Sequence, residues 1–217
     1  MSRELRINTT AFNAALNRFM QHSKRDAEVV LRQQARGLMK SLIDVTPPGG
    51  RNVSNAKARA RGITSLKADA FKVVEVVSPK RAEETNVESL INRHRVQGRV
   101  KQEVTPRILV SAAALRAYLK KQRAKVGFLA SGWNQAASKL GLKPPAWIWN
   151  NRGPGAVVIE VNDRRIAVRA TNRVKYASGF RDMSSLVQWA VNLQTQKLRR
   201  QLSKFLAGTA RRAGFKS

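Results

Sequence analysis

Side chains able to carry chemistry are sparse in this chain. There are 13 Asp plus Glu, two His and no Cys. Without thiols, a disulfide scaffold, a thiolate zinc site, an iron–sulfur cluster and a cysteine nucleophile are all excluded. The one acidic cluster is Glu83, Glu84 and Glu88. It falls at the predicted start of a helix, where negative charge interacts favourably with the macrodipole, so it reads as a helix-start feature and not as a general acid/base pair. His22 and His94 each lack a second histidine three or four residues away, so the helical metal pair is missing. Gly49-Gly50 leads into a basic stretch, not into the Lys-Ser/Thr helix start of a phosphate loop. Gly127, Gly132 and Gly141 are too widely spaced for a dinucleotide fingerprint, and Ser131 lacks the preceding glycine of a nucleophile elbow. The sequence therefore predicts no catalytic, cofactor or metal site.

What the chain has in abundance is positive charge. Lys plus Arg number 42, for a net charge of +29 and a pI of about 11.8. From Val104 to Ser217 there are 22 Lys plus Arg against three acids, Glu160, Asp163 and Asp182. Charge of this size repels itself unless a polyanion or an acidic neighbour compensates it. The residues expected to make that contact are Arg51, Lys57, Arg59 and Arg61; Lys120, Lys121, Arg123 and Lys125; Arg199 and Arg200; and Arg211 and Arg212. The sequence shows no helix-turn-helix, zinc finger or basic zipper, and no aromatic-rich strand of a single-strand RNA platform. Contact with nucleic acid is thus expected through backbone phosphate, without base reading.

The elements that must position these groups follow from periodicity. Phe12, Leu16, Phe19, Ala27, Leu31, Leu38 and Leu42 recur at helical steps, predicting one long amphipathic helix over 10–44 that Pro47-Pro48-Gly49-Gly50 ends. Residues 46–66 are rich in turn formers and bases and carry no acid, predicting an extended, mobile basic loop that orders only against a partner. A strand is expected at 71–78, a short helix from near Thr85, a helix at 112–125 and a short one at 130–140. AVVIEV (156–161) and RIAVRAT (165–171) flank Asn162-Asp163-Arg164 and predict a hairpin. A last helix is expected over 183–205, capped by Ser184 or Ser185, before a flexible basic tail at 208–217. Trp133, Trp147, Trp149 and Trp189 are expected to anchor the core or an interface. The sum is a single α+β domain over 1–217, with a small antiparallel sheet packed by long N- and C-terminal helices. MSRELRINTT has no signal-peptide character, and no apolar run approaches the roughly 20 residues that span a bilayer, so a soluble chain made in the cytoplasm is expected, with no membrane partner.

Three segments carry a resemblance. LIDVTPPGG (42–50), KVGFLASGWNQAASKLG (125–141) and VKYASGF (174–180) resemble motifs of the small neck and tail-completion (head–tail joining) proteins of long-tailed double-stranded DNA bacteriophages. Thr46, Pro47 and Gly49 correspond to that family's turn after a long helix. Gly127, Leu129, Ser131 and Trp133 correspond to its Gly-x-Leu-x-x-Ser-Trp-like segment, with Gly132 inserted, and Tyr176-Ala177 to its Tyr-Ala pair. Here about 75 residues separate the first two segments, and SGFRDMS replaces the acid and Gly-Thr expected after Tyr-Ala. The resemblance implies a structural virion protein made in the bacterial host. Its copies would close a ring between head and tail by head-to-tail contacts, beside portal-adaptor or tail proteins and in contact with double-stranded DNA through backbone phosphates. Two other readings stay open: a basic capsid-interior or DNA-packaging protein, and a ribosome-associated protein.

Overall fold

The computed structural model of the chain describes residues 5–6, 10, 13, 27–83, 86–96, 99–162, 165–175 and 183–212. It is mixed helix and sheet, of the α+β class. Strand β1 (Leu5–Arg6) precedes helix α1 (Ala27–Val45), the part of the predicted 10–44 helix that can be described at length; most of the remainder lies outside the described residues. Ala35, Leu38, Met39, Leu42, Ile43 and Val45 of α1 are buried, the three- and four-residue steps of one helical face. The turn that ends α1 is held by Gly49 N–H donating to Thr46 O (2.9 Å) and Gly50 N–H to Asp44 O (3.1 Å). A Cβ on Gly49 would lie 2.1 Å from Asp44 O, so the turn closes only around glycine.

The structure corrects the expected loop at 46–66. From Asn55 the chain is helical, and α2 runs Asn55–Phe71. Ser54 caps it, its Oγ accepting from Lys57 N–H at 3.4 Å. Ala58 and Ala70 are its only buried apolar residues, which is why apolar periodicity gives no sign of it. Ala, Lys and Arg are strong helix formers, and with a serine cap their propensity outweighs the scarcity of apolar side chains.

The expected strand at 71–78 is shorter: Phe71 ends α2 and β2 is Val74–Val77. A 3-10 turn (Pro79–Arg81) leads to α3 (Val87–Arg93), capped by Asn86, whose Oδ1 accepts from Ser89 N–H at 3.1 Å; Thr85 itself lies outside the described residues. Three strands that follow were not read from the sequence. These are β3 (Arg95–Val96), which pairs antiparallel with β4 (Arg99–Val100), and β5 (Ile108–Ser111), which pairs parallel with β2. Ser111 then caps α4 (Ala112–Ala124). The expected 130–140 helix divides into α5 (Phe128–Ser131) and α6 (Asn134–Lys139). The division falls where Gly132 approaches the hairpin, since a Cβ there would meet Asn172 Oδ1 at 2.1 Å. A further short helix, α7 (Ala146–Trp149), precedes the hairpin of β6 (Gly155–Asn162) and β7 (Arg165–Asn172). Residues 163–164 of its turn lie outside the described residues. β1 adds to β7, giving a three-stranded antiparallel sheet in the order β1-β7-β6.

Helix α8 runs Met183–Arg212, past the expected end at 205. Two expectations change with it. Ser184 and Ser185 lie inside the helix and do not precede it, and residues 208–212 of the expected tail are helical; 213–217 lie outside the described residues.

Among the described residues most buried apolar side chains gather in two large clusters, and a small third joins Leu129 and Val174 with Phe128. In the first, α1, α6 and α8 enclose Trp133, with Val157, Ile159, Val168 and Ala170 of the hairpin packed against them. The second joins the end of α2, β2, α3, β5 and α4 around Val74, Leu90, Ile91, Val110 and Tyr118. In the first cluster Trp133 is fully buried, and its Nε1–H donates to Thr46 Oγ1 at 3.0 Å; that hydroxyl in turn donates to Leu42 O at 2.6 Å. Trp133→Ala is expected to cost roughly 3–5 kcal/mol, the range for truncating a buried Trp. Thr46→Val keeps the shape but strands the indole N–H, and is expected to cost about 1–3 kcal/mol. Urea unfolding of both variants checks this, and an unchanged midpoint for Thr46→Val would remove the hydrogen bond from the account.

Candidate functional site

A cleft of about 1050 Å3 opens between the 47–50 turn, α2, the β3–β4 ribbon, the start of α5 and the 150–152 turn. Its lining carries five cations, Arg61, Arg95, Arg99, Lys125 and Arg152, against one acid, Asp69. Sequence placed two of the five. Arg61 comes from α2, where helical spacing aligns it with Ser65 and Asp69 along the same wall, and Lys125 follows α4.

The other three were missed. Arg95 and Arg99 depend on the β3–β4 pairing, which turns a stretch read as helix into a ribbon. The one available signal was the repeated Arg-Val in RVQGRV (95–100), two short apolar alternations about a glycine. Arg152 is placed by Asn151, whose Nδ2 donates to Val126 O (3.1 Å) and Trp147 O (2.9 Å) and so fixes the turn against α7.

The electrostatics of the walls are set by two acids. Asp69, only 2% exposed, accepts from Arg99 Nε at 2.8 Å and Arg99 Nη2 at 3.2 Å, a two-pronged pair whose arginine is half exposed. Glu88 receives Lys121 (2.6 Å), Lys125 (3.5 Å) and Gln122 Nε2 (3.1 Å). The hydrogen bond from Lys121 foremost, with the charges of Lys121 and Lys125, holds its carboxyl below the usual range. Arg95 donates to Tyr118 Oη (2.8 Å) and Asn92 Oδ1 (3.2 Å), and its buried Nε–H has no acceptor. Burial, against the opposing charge of Arg95, pushes the Tyr118 phenol up. Arg61 and Arg152 have no carboxylate partner among the described residues.

The remaining expected contact residues do not join this cleft. Arg51 is exposed and sits over the Trp189 ring at 5.8 Å from its centroid. Lys57, Arg59, Lys120, Arg199 and Arg200 are exposed on their helices. Arg123 lines a smaller depression with Lys67, Arg116 and the exposed Phe71 and Val76. Arg211 and Arg212 close α8, and their side chains are not described. The four tryptophans separate by role. Trp133 is the core anchor, Trp147 and Trp189 pack partly buried against the same cluster, and Trp149 is 37% exposed. His94 is exposed at the end of α3, and His22 lies outside the described residues.

Among the described residues no three His, Asp or Glu side chains gather into a metal-sized group, and no helix is long and apolar enough to cross a membrane. Compared with family models, curated proteins and solved structures, the chain matches none. Its functional reading rests on the geometry above.

Two predictions follow from the acids. Removing Arg99 leaves the buried Asp69 carboxylate unpaired, whereas removing Asp69 leaves a half-exposed guanidinium that water can solvate. Arg99→Ala is therefore expected to cost about 3 kcal/mol, the low end for breaking a buried pair, and Asp69→Asn clearly less. Equal costs in chemical denaturation would show that the burial asymmetry does not matter. Asp44 is pushed up by burial, against the charge of Lys40 and the hydrogen bond with Asn55. A carboxyl whose folded pKa exceeds its unfolded one opposes folding when ionised and not when protonated. Asp44→Asn should thus stabilise relative to wild type at neutral pH, with the gain fading as pH falls through the carboxylate range. A gain of equal size at pH 3 and pH 7 would contradict it.

Proposed function

We propose that this chain is a structural virion protein of a tailed double-stranded DNA bacteriophage, one of the copies of a ring at the head–tail connector, neck or tail end. It meets neighbouring subunits, and the DNA backbone, by charge and shape without turnover. The observation that carries the reading is how the charge is displayed. Lys57, Arg59, Lys120, Arg199 and Arg200 are exposed with no carboxylate partner among the described residues, and the chain's own 13 acids leave a net charge of +29 on each copy. A second observation supports the resemblance on which the phage assignment rests. Thr46 of the TPPGG turn and Trp133 of the GFLASGW segment, 87 residues apart, share a buried hydrogen bond, so the two motif segments act as one structural unit. The third segment, with Tyr176-Ala177, lies outside the described residues.

The size of the net charge also favours a second reading, a basic capsid-interior or DNA-packaging protein that binds nucleic acid non-specifically. Copy number separates the two. Mass photometry and negative-stain imaging of the purified chain, alone and with isolated portal or tail particles, should show closed rings of fixed copy number. Binding to linear duplexes of two lengths should not scale with length. Removing Arg51, Lys57, Arg59 and Arg61 together (each to Ala) should leave the fold intact, since exposed substitutions usually change stability by less than about 0.5 kcal/mol, and should weaken assembly or flatten the salt dependence of DNA binding. No rings, with binding in proportion to duplex length, would replace the connector reading with the packaging one.

A further inference from the structure

We propose that the cleft beside the 47–50 turn is a docking groove for an extended acidic segment of a partner protein, one that alternates carboxylates with aliphatic side chains. The inference goes beyond the connector reading and stands on the cleft alone.

Three observations choose this occupant. The first is charge. Of the five cations on the walls, Arg99 is committed to Asp69 and Lys125 to Glu88, while Arg61 and Arg152 have no carboxylate and Arg95 keeps a buried Nε–H without an acceptor. Guanidinium groups present planar forks that match carboxylates in pairs, so the open positions call for acidic side chains spaced along a chain. The second is the floor. Between the cations lie Pro47, Pro48, Val126, Leu129 and Leu186, with Phe128 as the single aromatic ring of the lining. Single-stranded nucleic acid is held by stacking on successive aromatic platforms, which a largely aliphatic floor with one ring does not supply; it suits Leu, Ile or Val side chains. The third is size. At about 1050 Å3 the cleft matches the largest small-molecule pockets, a volume suited to a short stretch of extended chain. The walls are also built to stay open. Asn151 pins the 150–152 turn, the Asp69–Arg99 pair ties α2 to the ribbon, and the Gly49 turn has no room for another residue type.

Fluorescence anisotropy on the full chain tests this with a fluorescein-labelled peptide of alternating Glu and Leu. A polyglutamate peptide of equal length and a single-stranded oligothymidylate serve as competitors. The peptide is expected to bind more tightly than polyglutamate and to resist displacement by oligothymidylate. Arg61→Ala/Arg152→Ala should weaken it about tenfold or more, while Lys57→Ala/Arg59→Ala, which removes the same charge outside the cleft, should change it less than about twofold. All four replaced arginines and lysines are exposed, and urea unfolding of both variants verifies that they fold. The proposal is overturned by no peptide binding by wild type, by equal losses in the two double variants, or by polyglutamate binding as well as the mixed peptide. Tighter oligothymidylate binding that depends on Arg61 and Arg152 overturns it in favour of a nucleic-acid strand. Ring formation measured on the same samples reports separately on the connector reading, so either result can fail without the other.

Discussion

The fold depends on one buried polar contact, the Trp133 indole N–H held by Thr46 Oγ1. A tryptophan buries more apolar surface than any other side chain, but its N–H must find an acceptor when water is excluded. Thr46 can serve because it sits one residue past α1, where its hydroxyl already reaches back to Leu42 O. That position needs the chain to turn at once, which the glycine at 49 permits. From there the constraint spreads. With Trp133 fixed, α5 and α6 must bend around Gly132, and Gly132 must face Asn172, whose Nδ2 donates to Leu129 O at 2.8 Å and whose Oδ1 accepts from Val174 N–H at 3.1 Å. The end of the hairpin is thereby locked to the segment that carries the tryptophan. A second polar device fixes how α1 meets α8: Gln194 Nε2 donates to Gln34 Oε1, and Gln34 Nε2 to Gln201 Oε1. Apolar faces alone tolerate sliding, whereas paired amides must meet to be satisfied.

The acids are used economically. With 13 carboxylates against 42 cations, pairing cannot neutralise the surface. Asp69 and Glu88 instead stand where segments of the second apolar cluster must be tied together. Asp69 joins α2 to β4, and Glu88 joins α3 to α4 through Lys121 and Gln122. Arg107 bridges Glu75 and Glu103 at the surface, while Lys57, Arg59, Lys120, Arg199 and Arg200 face water with no carboxylate partner among the described residues. That arrangement raises the free energy of an isolated copy through self-repulsion, and lowers it when an anion or an acidic neighbour arrives. Exposed cations therefore do little for the fold of a single copy.

Sequence periodicity reads this molecule best where burial is one-sided. α1, α4, the β6–β7 hairpin and α8 each bury one apolar stripe or face, and each is legible in its Leu, Val and Ala spacing. It reads α2 worst. Over 55–66 that helix buries only Ala58, so stripe-seeking finds nothing and the Ala-Lys-Arg propensity is the sole signal. The short pairings are hidden for a different reason. β2 and β5 are four residues each and lie more than 30 positions apart, so neither marks its partner. The cleft inherits both difficulties, since Arg61 comes from the unread helix and Arg95 and Arg99 from the unread ribbon. Charge counting marks cations along the chain; only the fold decides which of them converge.

The convergence has a structural cause. The cleft runs along the seam between the two apolar clusters, with Met183 and Leu186 on the side of the first and Asp69 and Gln122 on the side of the second. Two cores that meet edge to edge leave a concave boundary, lined both by buried side chains such as Asp69 and Met183 and by exposed ones such as Arg61 and Arg152. Long amphipathic residues suit such a boundary, because arginine can lay its methylenes on apolar surface and keep its guanidinium at the rim. The seam thus collects cations and keeps an aliphatic floor between them, a pairing that neither core nor open surface would produce. α2 supplies the geometry, since it leaves the turn that caps the first cluster and ends with Ala70 buried in the second. The segment with the weakest apolar signature in the sequence is therefore the one that leads from the turn after α1 into the second cluster and aligns Arg61, Ser65 and Asp69 along the wall of the cleft.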